Sequence, residues 1–282
     1  MEALHDIFSA DCDLVLGLRA WDVEGVNEMN ITLSIVMSAP LSTLGAMKEL
    51  QLVLDYLKIK REDKVLEIGC GNGLGSIVVS KIAKEVVGID ISAPVIKFLN
   101  DHYQCHNLKF ICMDATQESQ RIFQEYFSKV FCIDVMEHIK KEKRYKLLTF
   151  ASNSLRRGGC LVFTFPVNNL NHGHLITSED VYKFAAHLSK SFERVYIKFL
   201  RESFVGQITS NFYGSIQRVL APPKEADLFE ETTAFKILRK PMKYHKLIKI
   251  CTFLLFTISA RPYKAVEPSE CSRALIIGVN KK

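Results

Sequence analysis

The sequence predicts a doubly wound α/β fold, and three observations carry that prediction. From Lys64 onward, short β-rich runs alternate with segments of helical length. The runs are almost wholly apolar, as strands of a parallel sheet covered on both faces must be. The first run opens into a glycine-rich turn and then a helical pattern, the strand–turn–helix unit of such folds. The 282 residues are 48% hydrophobic and 24% charged, with 14 Gly and 8 Pro, which excludes disordered, collagen-like and mucin-like chains. That length suits one large domain or two small ones, able to bury a core without disulfides.

Taken in order, residues 47–57 read as a helix leading into the sheet, and strands are expected at 64–68, 86–90, 108–112, 129–134 and 159–165. Helices are expected between them at 73–84, 93–104, 121–126 and 140–156. After Pro166 comes a loop, then a helix for which Ser178 supplies the N-cap and Glu179 and Asp180 the acidic first turn. Strands at 194–200 and 274–279 complete the pattern. The segment between those two strands is too long for an ordinary connection. The expected organisation is an N-terminal helical lid at 1–60, a core at 61–202 and 271–282, and an insertion at 203–270.

Eight cysteines are scattered singly with no CxxC pair, so zinc ribbons and dithiol redox motifs are not supported, and buried free thiols in a reducing compartment are expected. The N-terminus, Met1-Glu2-Ala3-Leu4-His5-Asp6, is acidic and lacks the basic and apolar regions of a signal peptide. The apolar stretch at 250–260 would span about 16 Å as a helix, short of a ~30 Å hydrocarbon core. A cytoplasmic protein is the expectation.

Chemistry concentrates at Val65-Leu66-Glu67-Ile68-Gly69-Cys70-Gly71-Asn72-Gly73-Leu74-Gly75-Ser76. Glycines there permit positive φ and let a ligand approach the backbone beside a helix N-terminus. The spacing departs from the dinucleotide pattern G-x-G-x-x-G, because Leu74 stands where the last glycine is needed. Glu67, at the end of an apolar strand, would repel a pyrophosphate but suits a ligand with a cationic amino-acid moiety. Both features point away from a nicotinamide dinucleotide and toward S-adenosylmethionine.

The stretch resembles motif I, E-x-G-x-G-x-G, of the class I S-adenosylmethionine-dependent methyltransferases, through Glu67, Gly69, Gly71 and Gly73. The resemblance extends over roughly residues 60–200. Val87-Gly88-Ile89-Asp90-Ile91-Ser92 is similar to the second-strand motif, which implies that Asp90 binds the ribose hydroxyls and Ile91 packs on the adenine. Met113-Asp114-Ala115 is similar to the end of the third strand, which places Asp114 and Ala115 near the adenine amino group. Cys132-Ile133-Asp134-Val135-Met136-Glu137-His138 resembles the fourth-strand motif ending in Glu-His, with Asp134 closing the cofactor pocket. Leu155-Arg156-Arg157-Gly158-Gly159 resembles the turn before strand five, with Arg157 in place of the usual proline. The family implies a mixed seven-stranded sheet, last strand antiparallel, with helices on both faces.

A sulfonium methyl is already activated, so the protein mainly aligns donor and acceptor, and a base is needed only for an acceptor protonated at neutral pH. His138 is the first candidate base, with pairing to neighbours as its alternative. His172 and His174 lie on the loop after strand five, where either a base or a surface histidine is expected. Asp134, Glu137 and His138 also resemble the E-x-x-E-H arrangement of some magnesium-dependent O-methyltransferases, but Asp is shorter than Glu and no metal is expected.

Residues 232–266 contain no acid and eight basic residues, Lys236, Arg239, Lys240, Lys243, Lys246, Lys249, Arg261 and Lys264, which exceed the chain's net charge of +6. The rest of the chain is therefore net acidic. Apolar residues interleaved with that charge fit peripheral contact with a membrane or a clamp on a lipophilic substrate, and equally a lid with solvated lysines. The expected activity is methyl transfer to an O or N nucleophile of a small or amphipathic acceptor, by resemblance a branch like the ubiquinone-pathway O-methyltransferases. An RNA methyltransferase using the basic insertion and a non-catalytic S-adenosylmethionine-binding protein are the alternatives.

Overall fold

The structure is a computed structural model and describes residues 47–103, 105–117, 122–169, 173–202 and 263–280. The chain divides into two compact units. The larger comprises 48–102, 106–202 and 263–282, and the other takes 1–47, 103–105 and 203–262. Apart from Met47, Tyr103 and Cys105, the second unit lies outside the described residues, and with it residues 1–46 of the expected lid and the 232–262 part of the basic segment.

The described elements are α1 (Met47–Leu57), β1 (Lys64–Ile68), α2 (Leu74–Ser80), β2 (Glu85–Asp90), α3 (Ala93–His102), β3 (Leu108–Cys112) and β4 (Phe127–Ile133). A 3₁₀ turn at Met136–His138 follows, then α4 (Lys141–Ser154), β5 (Leu155–Pro166), α5 (Ser178–Leu188), β6 (Arg194–Glu202), β7 (Tyr263–Ala265) and β8 (Arg273–Val279). The strands form one sheet of eight in the order β3-β2-β1-β4-β5-β8-β6-β7. β1 through β5 pair in parallel, while β8 runs antiparallel to both β5 and β6.

The strand order reverses at β1, with β2 on one side and β4 on the other. In open α/β sheets, ligands bind in the crevice outside the carboxyl ends of the strands at such a switch point. The central strands are apolar on both faces because helices cover both. Val65, Leu66, Val130, Phe131, Leu161 and Val162 are all fully buried. In α1, Leu50, Val53 and Leu57 recur at helical spacing and are buried, each such side chain contributing about 1.5–3 kcal/mol.

Several expectations need correction. The sheet has eight strands and not seven, because β7 adds an antiparallel edge to β6 through the register Leu200↔Ala265 to Glu202↔Tyr263. Residues 263–270, assigned to the insertion, therefore belong with the sheet, as α1 does from Lys48 onward. Where a helix is expected at 121–126, residues 122–125 form a turn: Glu125 has φ 51°, incompatible with a helix, and its N–H donates to the carbonyl of Asn153. α2 ends at Ser80 and not at residue 84, since the chain turns there so that Lys84 N–H can reach the carbonyl of Asp63.

The N-cap of α5 is Thr177, one residue before the expected Ser178, in a capping box with Asp180. Strand β5 starts at Leu155 and accommodates Arg156–Gly159 as an irregularity in its register with β4. Cys112 is exposed, because β3 is the sheet edge, whereas Cys70, Cys132 and Cys271 are buried free thiols. No helix among the described residues is long and apolar enough to cross a membrane.

Candidate active site

The turn after β1 is shaped by its glycines. Gly69, Gly71 and Gly73 have φ of 73°, 48° and 79°, a region that costs other residues roughly 1–2 kcal/mol. Gly69 is also tightly enclosed, since a Cβ there would overlap the side chain of Val135 at the end of β4. Gly71 differs, because a Cβ there would meet nothing within 4 Å. The turn is tied to β2 by N–H donation from Gly69 and Cys70 to the carbonyl of Ile89 at 2.8 and 2.9 Å.

Asp90, the last residue of β2, is oriented by the backbone on both sides. Its Oδ2 accepts from the N–H of Gly71 at 3.0 Å and its Oδ1 from that of Ser92 at 2.9 Å. A carboxylate has about four acceptor positions, so each oxygen retains capacity for another donor. Ile91, just beyond the strand, is 70% exposed, although every residue of β2 apart from its two ends is buried. An apolar side chain left bare beside an oriented carboxylate is a surface shaped for a ligand with a flat apolar part and a hydroxylated part.

Glu67 is buried and its carboxylate turns against α2, where Ser76 Oγ donates to Oε2 at 2.5 Å. A Cβ on Gly75 would overlap that carboxylate, so the helix can approach only because residue 75 is glycine. Burial, opposed by the Ser76 hydroxyl and N–H and assisted by the charge of Asp90, pushes Glu67 up to about 8. The sequence offers this carboxylate only a cationic ligand as partner, whereas the fold supplies Ser76 at a helix N-terminus.

Asp114 accepts through Oδ1 from the N–H and hydroxyl of Thr116 at 2.8 and 2.6 Å, and these bonds hold its carboxyl below the usual range against the opposing effect of burial. Ala115 beside it is buried, and Met113 N–H donates to the carbonyl of Asp90, so the ends of β2 and β3 are held together.

The rim after β4 is built differently. Asp134 has φ 52° and faces Arg273, whose Nη1 and Nη2 donate to its two carboxylate oxygens. Arg273 also donates to Thr164 Oγ1 at 3.1 Å and lies 3.5 Å from Glu49 Oε1, which in turn accepts from the Tyr263 hydroxyl at 2.6 Å. These contacts engage both Asp134 oxygens. Glu137 is buried, and its Oε2 has no hydrogen-bond partner among the described residues. Burial and the charge of Asp134 push it up to about 7.

His138 is the exposed member of this group, with 62% of its side chain accessible and its Nε2 4.0 Å from Glu137 Oε1. His174 is exposed and its N–H donates to the carbonyl of Glu137 at 2.6 Å, whereas His172 lies outside the described residues. No group of three or more His, Cys, Asp or Glu that could hold a metal ion occurs among the described residues. Sequence reasoning missed Arg144 and Arg273. Arg144 had a readable signal: with Leu147, Leu148 and Ala151 it occupies the buried stripe of α4.

Comparison with known proteins accords with this geometry. Residues 65–159 match the family described as Methyltransferase domain. The chain is 29% identical over 132 residues to the ubiquinone biosynthesis O-methyltransferase of Coxiella burnetii, covering 43% of this chain and 53% of that one. The chain thus spans about half the length of the curated relatives it matches. Among solved structures, a SAM-dependent methyltransferase from Archaeoglobus fulgidus superposes with a TM-score of 0.50 at 17% identity, covering 85% of this chain and 94% of that one. The [4+2]-cyclase SpnF gives a TM-score of 0.51 at 14% identity, covering 84% and 82%. These two likenesses are ones of fold. Residues 65–159 thus match a methyltransferase domain, and the strand order and the glycine turn accord with the class I, S-adenosylmethionine-dependent type.

Proposed function

We propose that this chain transfers a methyl group from S-adenosylmethionine to an oxygen or nitrogen nucleophile of a small or amphipathic acceptor. The observation that carries the reading is Asp90, fixed by two backbone N–H groups with acceptor capacity to spare and followed by the exposed Ile91. In this reading Asp90 accepts from the ribose hydroxyls and Ile91 covers the adenine. Asp114 and Ala115 border the adenine amino group. The backbone at Gly69, Gly71 and Gly73 lies along the amino-acid end. Glu67, behind the turn, holds the α2 N-terminus in place through its bond from Ser76. Asp134, held by Arg273, closes the pocket on the β4 side.

The bound donor supplies an activated methyl on a positive sulfonium, so this chain's residues have to exclude water and align the nucleophile. His138, exposed on the rim after β4, accepts the acceptor's proton where one must be removed. Similarity to an enzyme named for ubiquinone biosynthesis favours a lipophilic hydroxylated acceptor.

The test is calorimetry with S-adenosylhomocysteine, followed by transfer of a radiolabelled methyl from the donor to a fractionated cell extract. Asp90→Ala should weaken binding about 10- to 100-fold, the value of hydrogen bonds to a charged group. Unchanged affinity in that variant, or no heat with the wild-type chain, would overturn the assignment. Binding without transfer to any fraction would leave a ligand-binding protein in place of an enzyme.

A further inference from the structure

Arg144 is 1% exposed, among the most completely buried large side chains described, yet it meets no carboxylate within ion-pair distance among the described residues. Its donors go to backbone carbonyls in two separate segments. Nε donates to Met136 O and Ile139 O, both at 3.0 Å. Nη2 donates to His174 O at 3.0 Å, and Nη1 makes a longer contact of 3.4 Å with Leu175 O. Burying a guanidinium without a counter-ion is costly, and only a fork of five fixed N–H groups can bridge carbonyls spread in this way. Desolvation accordingly lowers its affinity for its proton, with Asp180 and Glu137 opposing from a distance.

The two segments are the turn that carries His138 and the loop that carries His174. They also meet directly: His174 N–H donates to Glu137 O, and Gly173, with φ 63°, sits so close to that carbonyl that a Cβ would overlap it.

We propose that Arg144 is a positioning residue for methyl transfer, a buried clamp that joins the turn after β4 to the loop after β5 and so fixes the imidazole of His138 over the acceptor. The proposal rests on the functional reading above. Arg144 itself bonds neither the glycine turn nor Asp90, so its effect is expected on the acceptor side and not on cofactor binding.

Three measurements on the purified full chain test it: calorimetry with S-adenosylhomocysteine, hydrogen exchange, and tritiated methyl incorporation with a dilution series of protein-free cell extract as the acceptor pool. Arg144→Lys, a single ammonium in place of the fork, should bind S-adenosylhomocysteine within about twofold of wild type. Its maximal incorporation should fall about tenfold or more, with a smaller change in the half-saturating dilution, because misplacing a catalytic group acts on turnover. Amide exchange should quicken at 136–139 and 173–175. Gly173→Ala, which wedges the loop off the turn while keeping Arg144, should lower turnover in the same direction, and it serves where a larger change at 144 does not fold.

In a His138→Ala background the cost of Arg144→Lys should largely vanish, since both act through one group. Wild-type turnover in both Arg144→Lys and Gly173→Ala would overturn the clamp, as would an equal cost of Arg144→Lys with and without His138. A wild-type chain that binds no S-adenosylhomocysteine would overturn the functional reading, and this inference with it.

Discussion

The turn after β1 and the turn after β4 lie at the carboxyl ends of neighbouring strands, but opposite means build them. The first is made of backbone: glycines at positive φ, N–H donors along the loop, and two carboxylates, Glu67 and Asp90, separated by a single β-α-β unit. The second is made of long side chains from distant positions. Arg273 reaches Asp134 across 139 residues, and Arg144 reaches His174 across 30. A backbone turn presents the same donors whatever the rest of the molecule does, which suits an invariant ligand. Side chains gathered from several elements form a surface that other elements can reshape, which suits a variable acceptor.

Removing Arg273 should damage the second region most. Arg273→Leu strands Asp134 and Glu49 without their shared cation and should cost about 3–5 kcal/mol in urea denaturation, as for breaking one side of a buried ion pair. A loss under about 1 kcal/mol would show that the rim does not depend on this cluster.

Next comes the first region, where two glycines should behave unequally. Gly69→Ala meets both a positive φ and the side chain of Val135, and should cost about 2–4 kcal/mol. Gly71→Ala faces open space and should cost about 1 kcal/mol in stability, the conformational part alone. Equal losses at the two positions would break the distinction between an enclosed and an open side of the turn.

A pH dependence, spread over several pH units, is the most gradual effect. Glu67 is lifted from an ordinary 4.5 to about 8, so between those values the folded state holds a proton that the unfolded chain has released. Stability therefore falls as pH rises through that window, by roughly a few kcal/mol at most, and is level above it. Glu137 contributes the same sign only up to about 7, so the slope between about 7 and 8 belongs to Glu67. Glu67→Gln should flatten that upper part in thermal melts taken across the pH range, and a slope unchanged by the substitution would place the proton elsewhere.

Much of the first region was legible before any fold was known. β1 and β3 begin and end where their apolar runs do, and the glycine spacing located the turn, because these signals are local. The direction of the Glu67 side chain was not legible, since it depends on Gly75 letting α2 approach the strand. Neither was the turn at Ile122–Glu125, whose composition permits a helix and whose backbone is instead drawn to Asn153 and Ser154 at the end of α4. Arg144 reads as one charge in the run Lys140–Arg144, although its place on the inner stripe of the helix was there to be seen.

By itself, the sequence determined the alternation of strands and helices, the glycine turn and the acids that follow the strands, because apolar periodicity and glycine dihedrals act within a few residues. Only the tertiary structure decided that β7 would extend the sheet, that Asp134 would face Arg273, and that Arg144 would bind four carbonyls of two loops. The physical reason is that a buried charge takes whichever partners packing brings within about 3 Å. Those partners come from parts of the chain that no local pattern connects.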